Sequence, residues 1–308
     1  MTTRRVLRAL LQVALLAIVC RYVYVYRADY VHVFRDTAPS WGGLVQSSLF
    51  VCVAYVVLIQ TWRQVVVAWG ERLDFTAAMR IWFVSNLGKY LPGKVWAIAA
   101  MGSLAQEEGI SVVAAIGSSL VVQLVNIVTG FAVFFIAGAR AMHVSSVVIA
   151  AVIVLGAAIA GAPWLLPVAV RLANRFSGRQ FAEPHLPPSA IWWAAAGTTL
   201  AWVFYGIAFE AFAIAMTGGS VRGTIGEWTA VFVGSYLLGF IAVFDPGGIG
   251  VREVAMAEAL RRTGLAVGAT AALLVVSSRV WLTVLEIIPG LFFMLVRPPV
   301  RPAPNFDR

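Results

Sequence analysis

For a chain of 308 residues this one is poor in lysine, cysteine and histidine, with two, two and three of each. The cysteine shortage excludes a disulfide framework: Cys20 and Cys52 sit in separate apolar segments without CxxC spacing and are expected to face lipid or core. His32, His143 and His185 are isolated from one another and show no HExxH or other ligand spacing, so no metal site and no cofactor is expected. Gly248-Ile249-Gly250 lacks the third glycine of a dinucleotide-binding loop. Charge is scarce as well. With 12% charged and 61% hydrophobic residues and a mean hydropathy of +0.87, the composition is that of a membrane protein. A formal charge of +9 would suggest nucleic acid in a soluble protein, but here the arginines cluster between apolar runs, the pattern of retained cytoplasmic loops, so nucleic acid is not expected as a partner.

Crossing a bilayer takes about 20 apolar residues. Segments near 6–26, 43–68, 112–138, 144–170, 189–217 and 267–296 meet that length and predict six full spans. Arg4, Arg5 and Arg8 ahead of the first run have the layout of a signal peptide, but no small-residue cleavage site follows, and the run reads as a retained span. The lysine and arginine bias then places both termini on the cytoplasmic side of the cell membrane. Loop 171–188 is the only sizeable hydrophilic connection, segment 168–179 is expected to lie on the membrane surface as a basic helix, and the proline-rich tail 297–308 is expected to be disordered.

Two further apolar stretches, about 76–105 and 226–262, are interrupted. The first contains Asn86-Leu87-Gly88-Lys89-Tyr90-Leu91-Pro92-Gly93-Lys94 and holds both lysines; the second contains Asp245-Pro246-Gly247-Gly248-Ile249-Gly250-Val251-Arg252-Glu253. Proline lacks the N–H and glycine lacks the side chain that a continuous helix uses, so each stretch is predicted to break and re-enter. Residues 228–244 alone are nearly long enough for a seventh span, and the charge bias does not exclude that count. The breaks repeat. Pro92 and Pro246, like Gly93 and Gly247, are 154 residues apart, while Met101 and Met256, like Gly109 and Gly264, are 155 apart. Repeat halves of roughly 43–138 and 189–296, separated by an odd number of spans, predict an inverted repeat within a single all-α polytopic membrane domain, an arrangement of secondary transporters.

Backbone groups freed by a break cannot face lipid, so the breaks must line protein or water. A helix starting after Gly247, Gly248 and Gly250 would offer free N–H groups and a positive dipole end to an anion, and Lys89 and Lys94 would add mobile charge. The plainer alternative is that Pro-Gly ends a helix at the interface and the lysines extend to water. Glu210, Arg279 and Glu286 fall inside spans, where a charge costs roughly 3 kcal/mol and is kept for pairing or function. Arg279 and Glu286 share a helix face but stand about 10 Å apart along the axis. Arg279 is therefore expected to reach a carboxylate on another helix, with Glu210, Asp245 and Glu253 as candidates, either at a functional site or in an ion pair that only locks packing. Gln123 and Asn126 are expected to be interhelical hydrogen-bond partners, Trp62, Trp69, Trp192 and Trp193 an interfacial belt, and Glu107 and Glu108 a solvated turn.

At these residues the chain resembles the flippase-like membrane family that includes the transmembrane region of lysylphosphatidylglycerol synthases. The likeness rests on Asn86 to Gly93, on Pro246 to Glu253, and on Arg279 some thirty residues further on, and it covers nearly the whole chain. No soluble aminoacyl-transferase domain follows the membrane region in this sequence, so the resemblance implies lipid translocation or another stand-alone role and not lysine transfer to lipid. The expected function is that of a flippase moving an anionic lipid or a phosphate-linked lipid carrier between leaflets. Its expected substrate site comprises Lys89, Pro92, Gly93, Lys94, Pro246, Gly247, Gly248, Gly250, Arg252 and Glu253, with intramembrane charges Glu210, Asp245, Arg279 and Glu286. The alternative is a non-transporting membrane partner of an envelope lipid synthase or glycosyltransferase. A transferase using Glu253 or Asp245 as base comes third, and no catalytic residue is assigned.

Overall fold

The computed structural model describes residues 39–90, 95–138, 187–241 and 250–296, with isolated helical positions between 150 and 175. Every element among them is helical: α1 (Trp41–Ala68), α2 (Phe75–Asn86) continued by a short 3₁₀ turn (Leu87–Tyr90), α3 (Val95–Glu107), α4 (Val112–Gly138), α5 (Pro188–Met216), α6 (Ile225–Ile241), α7 (Val251–Thr263) and α8 (Gly268–Leu295). Of these, α1, α4, α5 and α8 are long and apolar enough to cross a membrane, and they coincide with four of the six expected spans. The expected span 6–26, most of 144–170, the surface helix 168–179 with nearly all of loop 171–188, and the tail 297–308 lie outside the described residues. The 17 described residues of α6 reach about 26 Å, and the end of the expected run 228–244 lies outside the described residues.

The order long helix, two short helices, long helix occurs twice, as α1 to α4 and as α5 to α8. The first helices of the two sets, α1 and α5, pack along their lengths and run antiparallel. Ser40 N–H at the start of α1 donates to Ala215 O at the end of α5 (2.9 Å), a Cβ on Gly43 would meet Ala215 Cβ at 2.7 Å, and further along Thr61 of α1 closes on Gly197 near the start of α5. In a bilayer, where apolar burial drives helix association weakly, such small-residue seams let backbones approach and gain dispersion contacts. Around that seam the aromatic rings are continuous: Tyr55 of α1 meets Tyr205 of α5 edge-on at 6.1 Å and Phe83 of α2 at 5.6 Å, and Tyr205 stacks on Phe232 of α6 at 5.5 Å.

The first short helix of each set packs against the last helix of the other set, and the second short helix against the last helix of its own. Near one end of the α4–α6 contact, Gly226 meets Ala137; near the other, Gly130 meets Leu237. Correspondingly, α8 packs antiparallel on α2 and its 3₁₀ extension, with Phe293 stacked on Phe83 at 6.0 Å and Gly290 against Leu87. The ends of α3 and α7 also match. Gly109 (φ +74°) and Gly264 (φ +71°) adopt the left-handed conformation that favours glycine, and in each turn the next residue donates back to a helix carbonyl: Ile110 N to Ala105 O at 2.9 Å, Leu265 N to Leu260 O at 3.1 Å. These are Schellman closures. Met101 and Met256 each accept a serine hydroxyl from the following long helix, Ser119 at 2.7 Å and Ser278 at 3.7 Å.

Several expectations are corrected. Trp62 is fully buried, because Trp82 of α2 lies against its ring at 6.2 Å and its indole N–H points at Ala115 O of α4, 3.4 Å away; it is not part of an interfacial belt, whereas Trp192 and Trp193 are exposed. Glu107 and Glu108 are not merely a solvated turn: Arg80 of α2 forks to both, at 2.9 and 3.1 Å, and so ties the far end of α3 to α2. Asn126 takes part in interhelical bonding through its backbone carbonyl, which accepts the Trp202 indole N–H at 3.0 Å.

Candidate functional site

Each break depends on a glycine ahead of it. A Cβ on Gly88 would lie 2.6 Å from the backbone N of Ala97, and one on Gly239 would lie 2.8 Å from Arg252 Cβ. Only a residue without a side chain lets the start of the second short helix cross so closely over the end of the first. The sequence reading missed both glycines, whose signal was a lone Gly in an apolar helical run just before each Pro-Gly.

At the first break, Leu87 seats against Gly290 of α8, and this contact holds the adjoining Lys89 beside Glu286 one turn away. Lys89 Nζ lies 2.6 Å from Glu286 Oε2, with side chains 38% and 22% exposed, so the pair is half in contact with solvent space and not sealed. Pro289, inside α8, lacks the N–H that would bond to the carbonyl of Leu285, which loosens the helix next to Glu286.

Two turns earlier on α8, Arg279 Nε is 3.8 Å from Glu253 Oε1, an ion pair beyond hydrogen-bond length. Of the three carboxylates considered for Arg279, Glu253 stands within reach. Glu210 makes no ion pair with another described residue, and Asp245 lies outside them. The other oxygen of Glu253 accepts the Gly250 N–H at 2.7 Å, which closes the first turn of α7. Gly250 sits at φ +105°, where a side chain would be strained, and α7 starts directly after it. In this way α8 carries one charge to each of the two broken segments, Glu286 to the first and Arg279 to the second.

Arg252 points away from the surface. It is 8% exposed, its guanidinium carbon is 5.4 Å from the ring centres of both Phe232 and Tyr236, and its Nη2 is buried with no hydrogen-bond partner among the described residues. Gly239 leaves a gap that the arginine stem fills, drawing the head inward. Pro92, Gly93, Lys94, Pro246, Gly247 and Gly248 lie outside the described residues. Among those described, the structure brings together Lys89, Glu286, Arg279, Glu253, Gly250 and Arg252, and leaves Glu210 apart.

Outside the spans, at the polar end of α7, hydrogen bonds from Arg261 and then Arg262 hold the Glu258 carboxyl down to about 2. Among the described residues no group of three or more His, Cys, Asp or Glu is placed to hold a metal ion. Comparison with protein-family models, with curated proteins and with solved structures returns no match to this chain.

Proposed function

We propose that this chain is a multi-pass transporter of the flippase-like class that moves an anionic or phosphate-linked lipid between the leaflets of the cell membrane, with both termini cytoplasmic. The observation that carries the proposal is the double attachment of α8, through Glu286 to Lys89 and through Arg279 to Glu253, to the ends of two broken segments. Partly exposed ion pairs beside interrupted helices in an apolar protein are costly to insert and are kept where polar cargo must pass. The antiparallel seam of α1 and α5, with the matched packing of α4 on α6 and of α8 on α2, supports an inverted repeat whose halves meet at these charges. Broken helices ending there give backbone donors for a phosphate.

Vesicles reconstituted with the protein and a labelled anionic lipid or polyprenyl-phosphate saccharide provide the test. The parent is expected to speed leaflet exchange, and Lys89→Gln/Lys94→Gln to lose most of that gain while neutral lipid is unaffected. Equal exchange by both would make the lysines interface anchors. No exchange by the parent with several such lipids would favour a non-transporting partner of an envelope lipid synthase or glycosyltransferase.

A further inference from the structure

Three cations and two carboxylates meet around the start of α7 and the middle of α8: Lys89, Arg252 and Arg279 against Glu253 and Glu286. Both carboxylates are committed, Glu286 to Lys89 and Glu253 to Arg279. Among the described residues Arg252, more than nine-tenths buried, faces the aromatic rings of Phe232 and Tyr236, and its Nη2 has no hydrogen-bond partner there. Aromatic faces attract a guanidinium but accept none of its in-plane N–H bonds, so a buried Arg in this state retains a strong unmet demand for one anionic acceptor. Tyr236, at 36% exposure, forms the open side of this seat and brings a phenol to its rim. The first turn of α7, capped by the Gly250–Glu253 bond, adds the positive end of a 13-residue helix.

Resting on the lipid-transport reading above, we propose that Arg252, Tyr236 and the start of α7 form a seat for a single negative charge, and that its ligand is a phosphate diester head group. A diester carries one charge at neutral pH and leaves two oxygens for the guanidinium fork. A phosphomonoester or pyrophosphate brings a second charge that finds Glu253 and Glu286 nearby, where, among the described residues, Lys89 and Arg279 are already set against those two carboxylates.

The full chain, held in nanodiscs of neutral phosphatidylcholine, is titrated with glycerophosphoglycerol, a soluble diester, and with inorganic phosphate at mildly alkaline pH, where phosphate is a dianion. In separate nanodiscs it meets phosphatidylglycerol, and binding is read by tryptophan fluorescence, since Trp202 lies 5.2 Å from Tyr236. The diester in either form should bind about tenfold or more tighter than inorganic phosphate. Binding of the soluble diester places recognition in the head group, whereas binding of phosphatidylglycerol alone means that the acyl chains are needed for entry. Arg252→Met should lose diester binding by at least about tenfold and melt at the same or a higher temperature, because replacing an unpaired buried charge by an apolar chain of like length removes a desolvation cost. Arg252→Lys, which keeps the charge without the fork, should fold like the parent and bind the diester more weakly; it gives the same test should the methionine variant fail to fold. Diester binding unchanged in both variants, or inorganic phosphate binding as tightly as the diester, overturns the proposal. A parent that exchanges lipid yet shows either result sinks this inference alone, and one that binds the diester through Arg252 without exchanging lipid sinks only the transport reading.

Discussion

Gly88 and Gly239 do the same work in the two halves: each lies where the following short helix crosses, against Ala97 and Arg252 respectively, with no room for a Cβ. At both positions the obstructing atoms are fixed by the backbone of the crossing helix. At Gly88 the nearest atoms are the N and Cα of Ala97 and the carbonyl carbon of Trp96, and at Gly239 the nearest is the Cβ of Arg252.

Gly88→Ala and Gly239→Ala should therefore each destabilise the protein by about 1–3 kcal/mol, as overpacking against backbone or a backbone-fixed Cβ does. Gly42→Ala, in α1 with nothing within 4 Å, is the control and should be neutral or slightly stabilising. Thermal melting in one detergent ranks the three. A Gly88→Ala melt equal to that of Gly42→Ala would show that the first break does not need the close crossing.

The sequence offers Lys89 either as mobile charge beside the break or as a lysine extended to water. The structure sets it 2.6 Å from Glu286. Lys89→Glu and Glu286→Lys should each lower stability by about 1 kcal/mol or more, and the double swap should recover part of it. The value stays modest because both side chains keep contact with solvent space. A swap no better than the sum of the single changes would mean that the pair contributes only position.

Arg279→Ala should damage stability and lipid exchange more than Arg279→Lys, which keeps the charge near Glu253. In a double-mutant cycle with Glu253→Gln, a coupling of about 0.5–1 kcal/mol is expected for an ion pair at 3.8 Å and about one quarter exposed. Coupling indistinguishable from zero would detach α8 from the second break.

Acid should weaken the polar end of α7 through Glu258. Its folded carboxyl titrates near 2, held down by Arg261 and Arg262, against 4.5 for the free group. A lowered folded value means that the contribution is complete above about 4.5 and disappears as pH falls toward about 2. Melting measured at about pH 6 and about pH 3 should show a small acid loss in the parent, small because the group is exposed, and less in Glu258→Gln. An equal loss in both would assign the acid sensitivity to other carboxylates.

Composition and run length alone determined the all-helical membrane class and four spans, because a bilayer demands about 20 apolar residues per crossing and no other sequence feature imitates that. The 155-residue spacing of Gly109 and Gly264 was legible, while their matched left-handed helix closures came with the structure. Partners were not legible. That Arg279 meets Glu253, that Lys89 meets Glu286, that Arg80 spans Glu107 and Glu108, and that Arg252 turns inward between two rings depend on which helices pack together and at what angle. A side chain's place on its own helix follows from a period of 3.6 residues, but its neighbour across an interface is set by the small-residue seams of Gly43 with Ala215 and Thr61 with Gly197, whose depth only the packed structure reveals.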